Sequence, residues 1–290
     1  MTGADRRRFD DAATAAAGTV MRRYSTSFSR ATALLREPDR SAIRTVYALV
    51  RVADEIVDGS FDAASAAGRR RLLDGLEKTT QEAMATGYAT DLIVHAFAAT
   101  ARRCGITADL TRPFFASMRT DLDRADHDEE SLARYVHGSA EVVGLMCLRV
   151  FLADAPDREE RYERLAPGAV ALGAAFQKVN FLRDLAADRR ELDRAYLPGT
   201  AGALTDADRD RVLDDIDADL ALARSAALAL PRRSRRGVLA AHGLFAALSH
   251  RLRRTPARVI AVRRVRVPAP AKAAVLLGAL GTDLRHRATA

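Results

Sequence analysis

The sequence contains no tryptophan, only two cysteines and few aromatic residues, which make up 6% of its 290 residues. Runs of β-branched residues are short, whereas Ala, Leu, Arg and Asp are abundant. This composition favours helices over sheets, and we expect an all-α fold. Cys104 and Cys147 form no metal-binding or disulfide motif, so we expect two free thiols and a cytoplasmic protein.

Long apolar runs are also missing, and none approaches the roughly 18 residues of a membrane-spanning helix. The N-terminal arginines are interrupted by Asp5, Asp10 and Asp11, which favours a helix over a signal peptide. Hydrophobic residues nevertheless make up 48% of the chain, enough for a substantial core. Because we find no repeat, linker or break in composition, we expect a single domain over residues 1–290.

Acidic residues are absent from 232–281, although they are frequent immediately upstream. The chain carries a net charge of +8, and arginines cluster in this segment, at Arg251, Arg253, Arg254, Arg258, Arg263, Arg264 and Arg266. Such a segment suits nucleic acid, an anionic membrane surface or a diphosphate substrate. Ordinary solvated surface explains it equally well.

Apolar periodicity and helix-breaking residues predict the order of the helices. They are expected over 6–23, from Pro38 to Gly59, and over 63–86, 90–104, 110–125, 129–152, 206–230, 236–254 and 268–285. Residues Tyr24–Ser29 are predicted to form a loop or a helix start, where hydroxyls cap free amides. A long helix is expected to begin after Pro167 and to end before Pro198.

That long helix carries oxygen-bearing side chains on one face. Asn180, Asp184 and Asp188 occur at i, i+4 and i+8, with Gln177 one turn earlier. The opposite positions are apolar (Val179, Phe181, Leu182 and Leu185), so the helix is predicted to pack against a core.

A second acidic pair, Asp54 and Asp58, has the same spacing far upstream. Tyr47 and Arg51 belong to the same polar stripe, which could be a solvent-exposed face of the helix or the lining of a cavity.

Carboxylates that converge in an apolar bundle need cations, because burying an isolated carboxylate costs several kcal/mol. Oxygen ligands of this kind suit Mg²⁺, which completes its shell with water and substrate phosphate. Lys178, Arg183 and Arg51 could pair with phosphate oxygens. One acidic pair alone is weak evidence, since such pairs are common on exposed faces, but the two together are stronger. A basic module binding nucleic acid or a membrane would leave both acidic faces without a purpose, and we expect no nucleic acid partner.

These blocks resemble the head-to-head trans-prenyl synthases, meaning phytoene, dehydrosqualene and squalene synthases. The strongest are YALVRVADEIVD (Tyr47–Asp58), QKVNFLRDLAAD (Gln177–Asp188) and AYLP (Ala195–Pro198). YVHGSAEVVGLM, which begins at Tyr135, and the upstream Asp121 add weaker support. The resemblance extends from YSTSF at Tyr24 to the basic region around 258–272, and so covers most of the chain.

The resemblance implies an isoprenoid-synthase helical bundle around a central apolar cavity, with the two acidic helices facing each other at its mouth. It implies that Mg²⁺, or alternatively Mn²⁺, is held by Asp54, Asp58, Asn180, Asp184 and Asp188. Tyr47 and Arg51 would join these carboxylates in catalysis. The residues that it implies for substrate binding are Ser25, Ser27, Phe28, Arg51, Tyr135, Ala140, Gly144, Gln177, Asn180, Arg183 and Tyr196. Among these, Ala140 and Gly144 would be small enough to leave room between the helices for the prenyl chains, in a substrate tunnel.

The activity implied is the condensation of two geranylgeranyl diphosphates to phytoene through a cyclopropyl diphosphate, in carotenoid biosynthesis and without NADPH. The alternative is a squalene or dehydrosqualene synthase that uses farnesyl diphosphate. Chain-elongating prenyl synthases fit less well, because neither acidic block begins with two Asp. Peripheral association with the inner face of the membrane is a further expectation from the basic segment.

Departures from the family pattern occur at four positions. Glu55 follows Asp54 where many members have a second Asp, Thr26 stands where some have Lys, Glu141 where Gly is frequent, and Phe245 where an aromatic hydroxyl is common. The last two put the cavity contacts at those positions in doubt.

Overall fold

The computed structural model describes residues 3–58, 65–123, 127–191, Tyr196 and 204–289, and the side chains among them except those of 187–191 and 283–289. These residues form helices and no strand, which confirms the all-α prediction. The α-helices are α1 (Gly3–Tyr24), α2 (Thr26–Thr32), α3 (Asp39–Val57), α4 (Ala66–Thr86), α5 (Leu92–Cys104), α6 (Ala108–Asp123), α7 (Glu129–Val136), α8 (Val142–Leu152), α9 (Arg158–Glu191), α10 (Asp206–Ala229), α11 (Arg232–Arg253), α12 (Ala257–Ile260) and α13 (Ala269–Thr289).

Local chemistry explains several helix boundaries. The Asp91 side chain accepts hydrogen bonds from the first amides of α5, and Asp128 and Thr205 form capping boxes at the starts of α7 and α10. Gly87 and Gly105 end α4 and α5 with left-handed φ angles of 84° and 76°, a conformation that favours glycine. The sequence predicted each of these five boundaries to within two residues.

The largest difference concerns α9, which begins at Arg158 rather than after Pro167. Pro167 therefore lies inside a helix, where a proline costs about 3 kcal/mol. The helix continues through it because α9 packs against both α8 and α10. At Gly168 the packing is so close that a Cβ would overlap Ala226 of α10. Tertiary contacts outweigh the local signal here.

The segment predicted as one helix over 129–152 is instead α7 and α8 joined by a π-helical turn, His137–Glu141. Glu129–Leu152 is long and apolar enough to cross a membrane by length and composition, contrary to our expectation for the chain. Of its most apolar 18-residue stretch, 56% is buried inside the protein. It contacts α6 and α9, and its apolarity is that of a core element.

Two apolar clusters make up the core. The first lies among α3, α5, α6 and α8 and includes Leu49, Phe97 and Phe114. The second lies among α9, α10 and α11 and includes Leu182 and Ile216. All the positions predicted to form the apolar face of α9 are buried (Val179, Phe181, Leu182 and Leu185).

Glycine allows α9 to approach the π-helical turn. A Cβ on Gly173 would overlap the carbonyl oxygen of Ala140 and would lie 2.8 Å from its carbonyl carbon and 3.0 Å from the Cα of Glu141. Those neighbours are backbone atoms, which cannot rotate away. Gly144 of α8 has the same relation to the backbone of Ala169 in α9. The helices can be this close only without side chains at these positions.

We predict that Gly173→Ala lowers the free energy of unfolding by about 1–3 kcal/mol, because the new methyl group overpacks the α9 interface. Gly75→Ala is the matched control, since Gly75 lies inside α4 and a Cβ added there would meet nothing within 4 Å apart from its chain neighbours and the backbone of its own helix. It should stabilise the protein by roughly 0.5–1 kcal/mol. Urea unfolding monitored by circular dichroism measures both, and equal effects of the two changes would contradict the packing argument.

Candidate functional site

The first acidic face lies at the C-terminal end of α3. Arg51 forms an ion pair with Glu55, and its Nη1 lies 4.0 Å from the Oδ2 of Asp54. The guanidinium also lies over the ring of Tyr24, 4.6 Å from the ring centroid. Asp58 follows the helix as its exposed C-cap residue. Glu55, the departure from the family pattern, thus holds the arginine beside the acidic pair.

The second acidic face lies on α9, where Asp184 is paired with two arginines. Arg183 donates two hydrogen bonds to it, one of them 2.9 Å from Nε to Oδ1. Arg264 reaches the same carboxylate from the segment after α12, with its Nε 2.8 Å from Oδ1. Asp188 lies on α9 one turn further, and its side chain is outside the described residues. The carboxylate of Asp184 is therefore compensated by positive charge from two parts of the chain.

Asn180 lies one turn before Asp184 and has an amide oxygen for which the described residues provide no hydrogen-bond donor. Its Oδ1 is buried, and no described residue donates to it. An unsatisfied buried acceptor costs about 1–3 kcal/mol. An amide oxygen beside carboxylates is also a ligand that hard divalent cations accept. The donor chemistry of Asn180 and Asp184 therefore fits the predicted metal.

Among the side chains that the structure describes, no group of three or more His, Cys, Asp or Glu residues lies close enough to hold a metal ion. Asp188 is outside that set, so the metal set over both helices stays a prediction. Gln177 is half-buried on α9. Lys178, which we considered for phosphate binding, instead pairs with Asp219 of α10 at 2.9 Å.

Phe28 of α2 connects the two helices that carry the acidic faces. Its ring centroid lies 6.1 Å from that of Tyr47 in α3 and 5.8 Å from that of Phe176 in α9. Ser25 caps α2 by accepting from the Phe28 amide at 3.2 Å. Burial raises the pKa of Tyr47 above its ordinary value, so this phenol is protonated at neutral pH. Ser27 is half-buried on the same short helix.

Phe245 of α11 completes this aromatic group. It stacks on Phe176, with centroids 3.7 Å apart and an interplanar angle of 16°, and lies 5.7 Å from Phe28. Where relatives often have an aromatic hydroxyl, this chain has an apolar contact. Phe176 was missed by our sequence analysis, and its position directly before the Gln177 block was the only signal.

A second aromatic group surrounds Asp121. The hydroxyls of Tyr135 and Tyr196 each donate to its carboxylate at 2.9 Å. Phe181 of α9 stacks on Tyr196 with centroids 4.6 Å apart. Burial, followed by the charge of Asp121, holds the pKa of Tyr135 well above its usual range. The sequence had placed both tyrosines in the site, but it gave no role to Asp121.

The small residues predicted to line a tunnel lie at the contact of the π-helical turn and α8 with α9. Close packing against Ala169 already accounts for the glycine at position 144, and Ala140 is half-buried beside Gly173. Glu141 pairs with His137 at 2.9 Å on the same turn. A role of Ala140 and Gly144 in a substrate tunnel stays a prediction.

Comparisons with known proteins agree with this architecture. A family model described as squalene/phytoene synthase matches residues 21–271. The chloroplastic phytoene synthase 3 of Zea mays is 33% identical over 182 residues, which are 62% of this chain and 41% of the relative. The chloroplastic phytoene synthase 1 of Solanum lycopersicum is 30% identical over 185 residues, 62% of this chain and 43% of the relative. The matches thus span less than half the length of these curated relatives.

Solved structures show the same fold. A dehydrosqualene synthase in complex with a ligand superposes with a TM-score of 0.76 at 18% identity, covering 94% of this chain and 97% of that one. Squalene synthase HpnC from Alicyclobacillus acidocaldarius gives a TM-score of 0.70 at 22% identity, covering 84% and 94%. The helical isoprenoid-synthase bundle expected from the sequence is therefore confirmed.

We predict that Asn180→Leu stabilises the metal-free protein by about 1 kcal/mol, because it removes a buried acceptor without a partner. The same change should abolish the rise in unfolding temperature that MgCl₂ with inorganic pyrophosphate gives the unchanged protein. Asn180→Asp, which keeps an oxygen at the position, is the control and should retain that rise. A variant with Leu that still responds fully to the metal would contradict the ligand role.

Proposed function

Because the chain belongs to the squalene/phytoene synthase family, whose members are head-to-head prenyltransferases, we propose that it joins two geranylgeranyl diphosphates to phytoene. The identity to chloroplastic phytoene synthases supports this choice of substrate. The observation that carries the proposal is the charge arrangement on α9, where Asn180 and Asp184 present oxygen ligands beside Arg183. Squalene or dehydrosqualene synthesis from farnesyl diphosphate is the second candidate, supported by the shared fold of the solved structures.

The family uses a divalent metal to ionise the diphosphate. We propose Mg²⁺, with Mn²⁺ as the alternative, and assign it to Asp54, Asp58, Asn180, Asp184 and Asp188. When bound, the metal would neutralise the leaving diphosphate and so favour the allylic cation.

The protein's own cations would assist the same charge. The guanidinium groups of Arg51 and Arg183 lie against the acidic side chains, so a diphosphate bound at these faces would meet fixed positive charge. Arginine suits this purpose because its planar fork matches phosphate oxygens. Ion pairs with Glu55 and Asp184 hold the two guanidinium groups in place, so little reorganisation would be needed when charge develops on the leaving group.

The aromatic group formed by Phe28, Tyr47, Phe176 and Phe245 would protect the reacting carbons. An allylic cation is quenched by water, so the reaction needs an apolar surface beside the polar one. Two of the rings, Tyr47 on α3 and Phe176 on α9, lie about two helical turns from Asp54 and Asp184, which places ring and charged surfaces on the same helices. We propose that no nicotinamide reductant is required, since proton loss rather than hydride transfer ends phytoene formation.

We predict a C40 hydrocarbon from geranylgeranyl diphosphate with Mg²⁺, formed equally with and without NADPH and detected by liquid chromatography. Asp184→Asn should reduce turnover at least about 100-fold, because it removes a charge needed for the metal. The control is Asp214→Asn, an exposed carboxylate paired with Arg253, which should leave turnover unchanged. If the protein forms hydrocarbon from farnesyl diphosphate but not from geranylgeranyl diphosphate, the second candidate is favoured. Near-normal turnover of the Asp184 variant would contradict the metal assignment.

We also propose that the basic segment attaches the protein peripherally to anionic membranes, since the product is wholly apolar. Two arginines of this cluster are paired with carboxylates in the structure, Arg253 with Asp214 and Arg264 with Asp184. The other five are exposed (Arg251, Arg254, Arg258, Arg263 and Arg266), and the last three lie nearest in sequence to Val262. Val262 among them is 65% exposed. Basic side chains around an apolar one suit the surface of an anionic lipid bilayer.

Replacing Arg258, Arg263 and Arg266 together by alanine should weaken flotation with vesicles containing phosphatidylserine, because each arginine contributes about 1 kcal/mol near such a surface. The charge-matched control replaces the exposed Arg6, Arg7 and Arg8 of α1 by alanine. Equal flotation of the two triple variants would show that net charge, rather than this segment, governs binding. Raising the salt concentration should release the unchanged protein.

A further inference from the structure

Asp121 of α6 binds two tyrosines that are far apart in the chain. Its Oδ2 accepts from the Tyr135 hydroxyl and its Oδ1 from the Tyr196 hydroxyl, each at 2.9 Å. Tyr135 lies in the last turn of α7, 14 residues from Asp121, whereas Tyr196 is 75 residues away, beyond α9. One carboxylate therefore joins α6, α7 and the segment after α9.

The surroundings hold this group in one arrangement. Asp121, Tyr135 and Tyr196 are all buried, with exposures of 8%, 5% and 8%. The two tyrosine rings lie 5.2 Å apart, and Phe181 stacks on Tyr196 at an interplanar angle of 15°. Ser117, one turn before Asp121 on α6, donates to the backbone carbonyl of Tyr135 at 3.2 Å. Neither ring can turn without breaking contacts on several elements.

The hydrogen bonds also determine what each phenol oxygen can do. A tyrosine hydroxyl has one proton and two lone pairs. When the proton is given to Asp121, the oxygen presents only lone pairs to any other neighbour. Burial and the charge of Asp121 raise the pKa of Tyr135, so the phenol keeps its proton. Both tyrosines can then accept a hydrogen bond or face a positive charge, but they cannot donate to a diphosphate.

We propose that Asp121 is a positioning residue, which orients Tyr135 and Tyr196 and binds their protons, so that each phenol can meet the substrate only through its oxygen lone pairs. This inference rests on the proposed function, because it takes both tyrosines as part of the substrate site.

The orientation suits the carbocation part of the reaction. A phenol oxygen whose proton is bound elsewhere can stabilise a developing positive charge through its lone pairs. Phe181, which stacks on Tyr196, follows Asn180 directly in α9. The tyrosines are thus tied to the helix that carries the predicted metal ligands. Of the two roles that the resemblance allowed Tyr196, contact with diphosphate or with the reacting carbons, the second is the one that these hydrogen bonds permit.

The test compares Asp121→Asn, Asp121→Glu and Tyr135→Phe in steady-state kinetics with geranylgeranyl diphosphate and Mg²⁺. In asparagine an NH2 group, which donates, replaces one of the two carboxylate oxygens, so the phenol that faces it must turn its proton away. We expect kcat to fall about 10- to 100-fold with KM changed less than about threefold, because orientation rather than binding is lost. Tyr135→Phe should lower kcat in the same way, and Asp121→Glu should recover part of the loss.

A double-variant cycle separates positioning from a general loss of structure. If Asp121 acts through Tyr135, Asp121→Asn combined with Tyr135→Phe should be no slower than the slower single variant. Losses that multiply would overturn the proposal. Asp123→Asn is the matched control, since Asp123 lies on the same helix but is exposed and paired with Arg70. Thermal unfolding of every variant identifies those that fold.

The outcomes distinguish this inference from the proposed function. An unchanged protein that makes no hydrocarbon from either prenyl diphosphate would overturn both. An active protein in which Asp121→Asn behaves like Asp123→Asn would overturn only the role of Asp121. If Asp121→Asn does not fold, Tyr135→Phe and Asp121→Glu decide: normal kcat in Tyr135→Phe, or a raised KM with unchanged kcat in both, would overturn it.

Discussion

The pairing of Asp184 with arginine is the interaction on which the arrangement around α9 depends. A half-buried carboxylate needs compensating charge, and α9 provides it locally through Arg183, while Arg264 brings the C-terminal segment to the same point. That segment is therefore held against the helix that carries the predicted metal ligands. The same helix packs against α8, α10 and the π-helical turn, so the position of the acidic face is fixed by the core on its other sides.

Local and periodic features could be predicted from the sequence, because they depend on neighbouring residues. The apolar face of α9 followed from side chains spaced three and four residues apart, and the ends of α4 and α5 from single glycines. The beginning of α9 could not be predicted, because the signal at Pro167 is local whereas the contacts that overrule it come from α8 and α10. The π-helical turn was not predicted either, for a related reason. Its glycine-containing sequence indicates close packing, but not which hydrogen-bond pattern the backbone adopts.

The residues of the candidate site likewise include some that local spacing predicts and others that only tertiary contacts bring together. The acidic residues were found because they repeat at helical spacing. The group formed by Phe28, Phe176 and Phe245 was found only in part, since it joins α2, α9 and α11, and no periodicity relates residues so far apart. Asp121 is the extreme case, because its two partners are separated from it by 14 and 75 residues. A single acidic residue on an amphipathic helix has no local sign that it will be buried.

The departures from the family pattern become intelligible once their partners are known. Glu55 binds Arg51, so the extra acid of the first block orients a cation as well as adding charge. Glu141 is compensated by His137 on the same turn, which makes an acid tolerable at a position where glycine is frequent. Phe245 exchanges a hydroxyl for a stacked contact with Phe176.

Because position 245 carries no hydroxyl, the proposed stabilisation of positive charge depends more on the phenols that the chain does have. Near α9, the described phenols that could face a cation include Tyr47, which contacts Phe28, and the two tyrosines held by Asp121. Stabilisation of positive charge depends on where an oxygen or ring points, not only on its presence. Under the proposed function, a chain with an apolar ring at position 245 relies on the orientation of its other tyrosines, and we propose that the carboxylate of Asp121 sets it for Tyr135 and Tyr196.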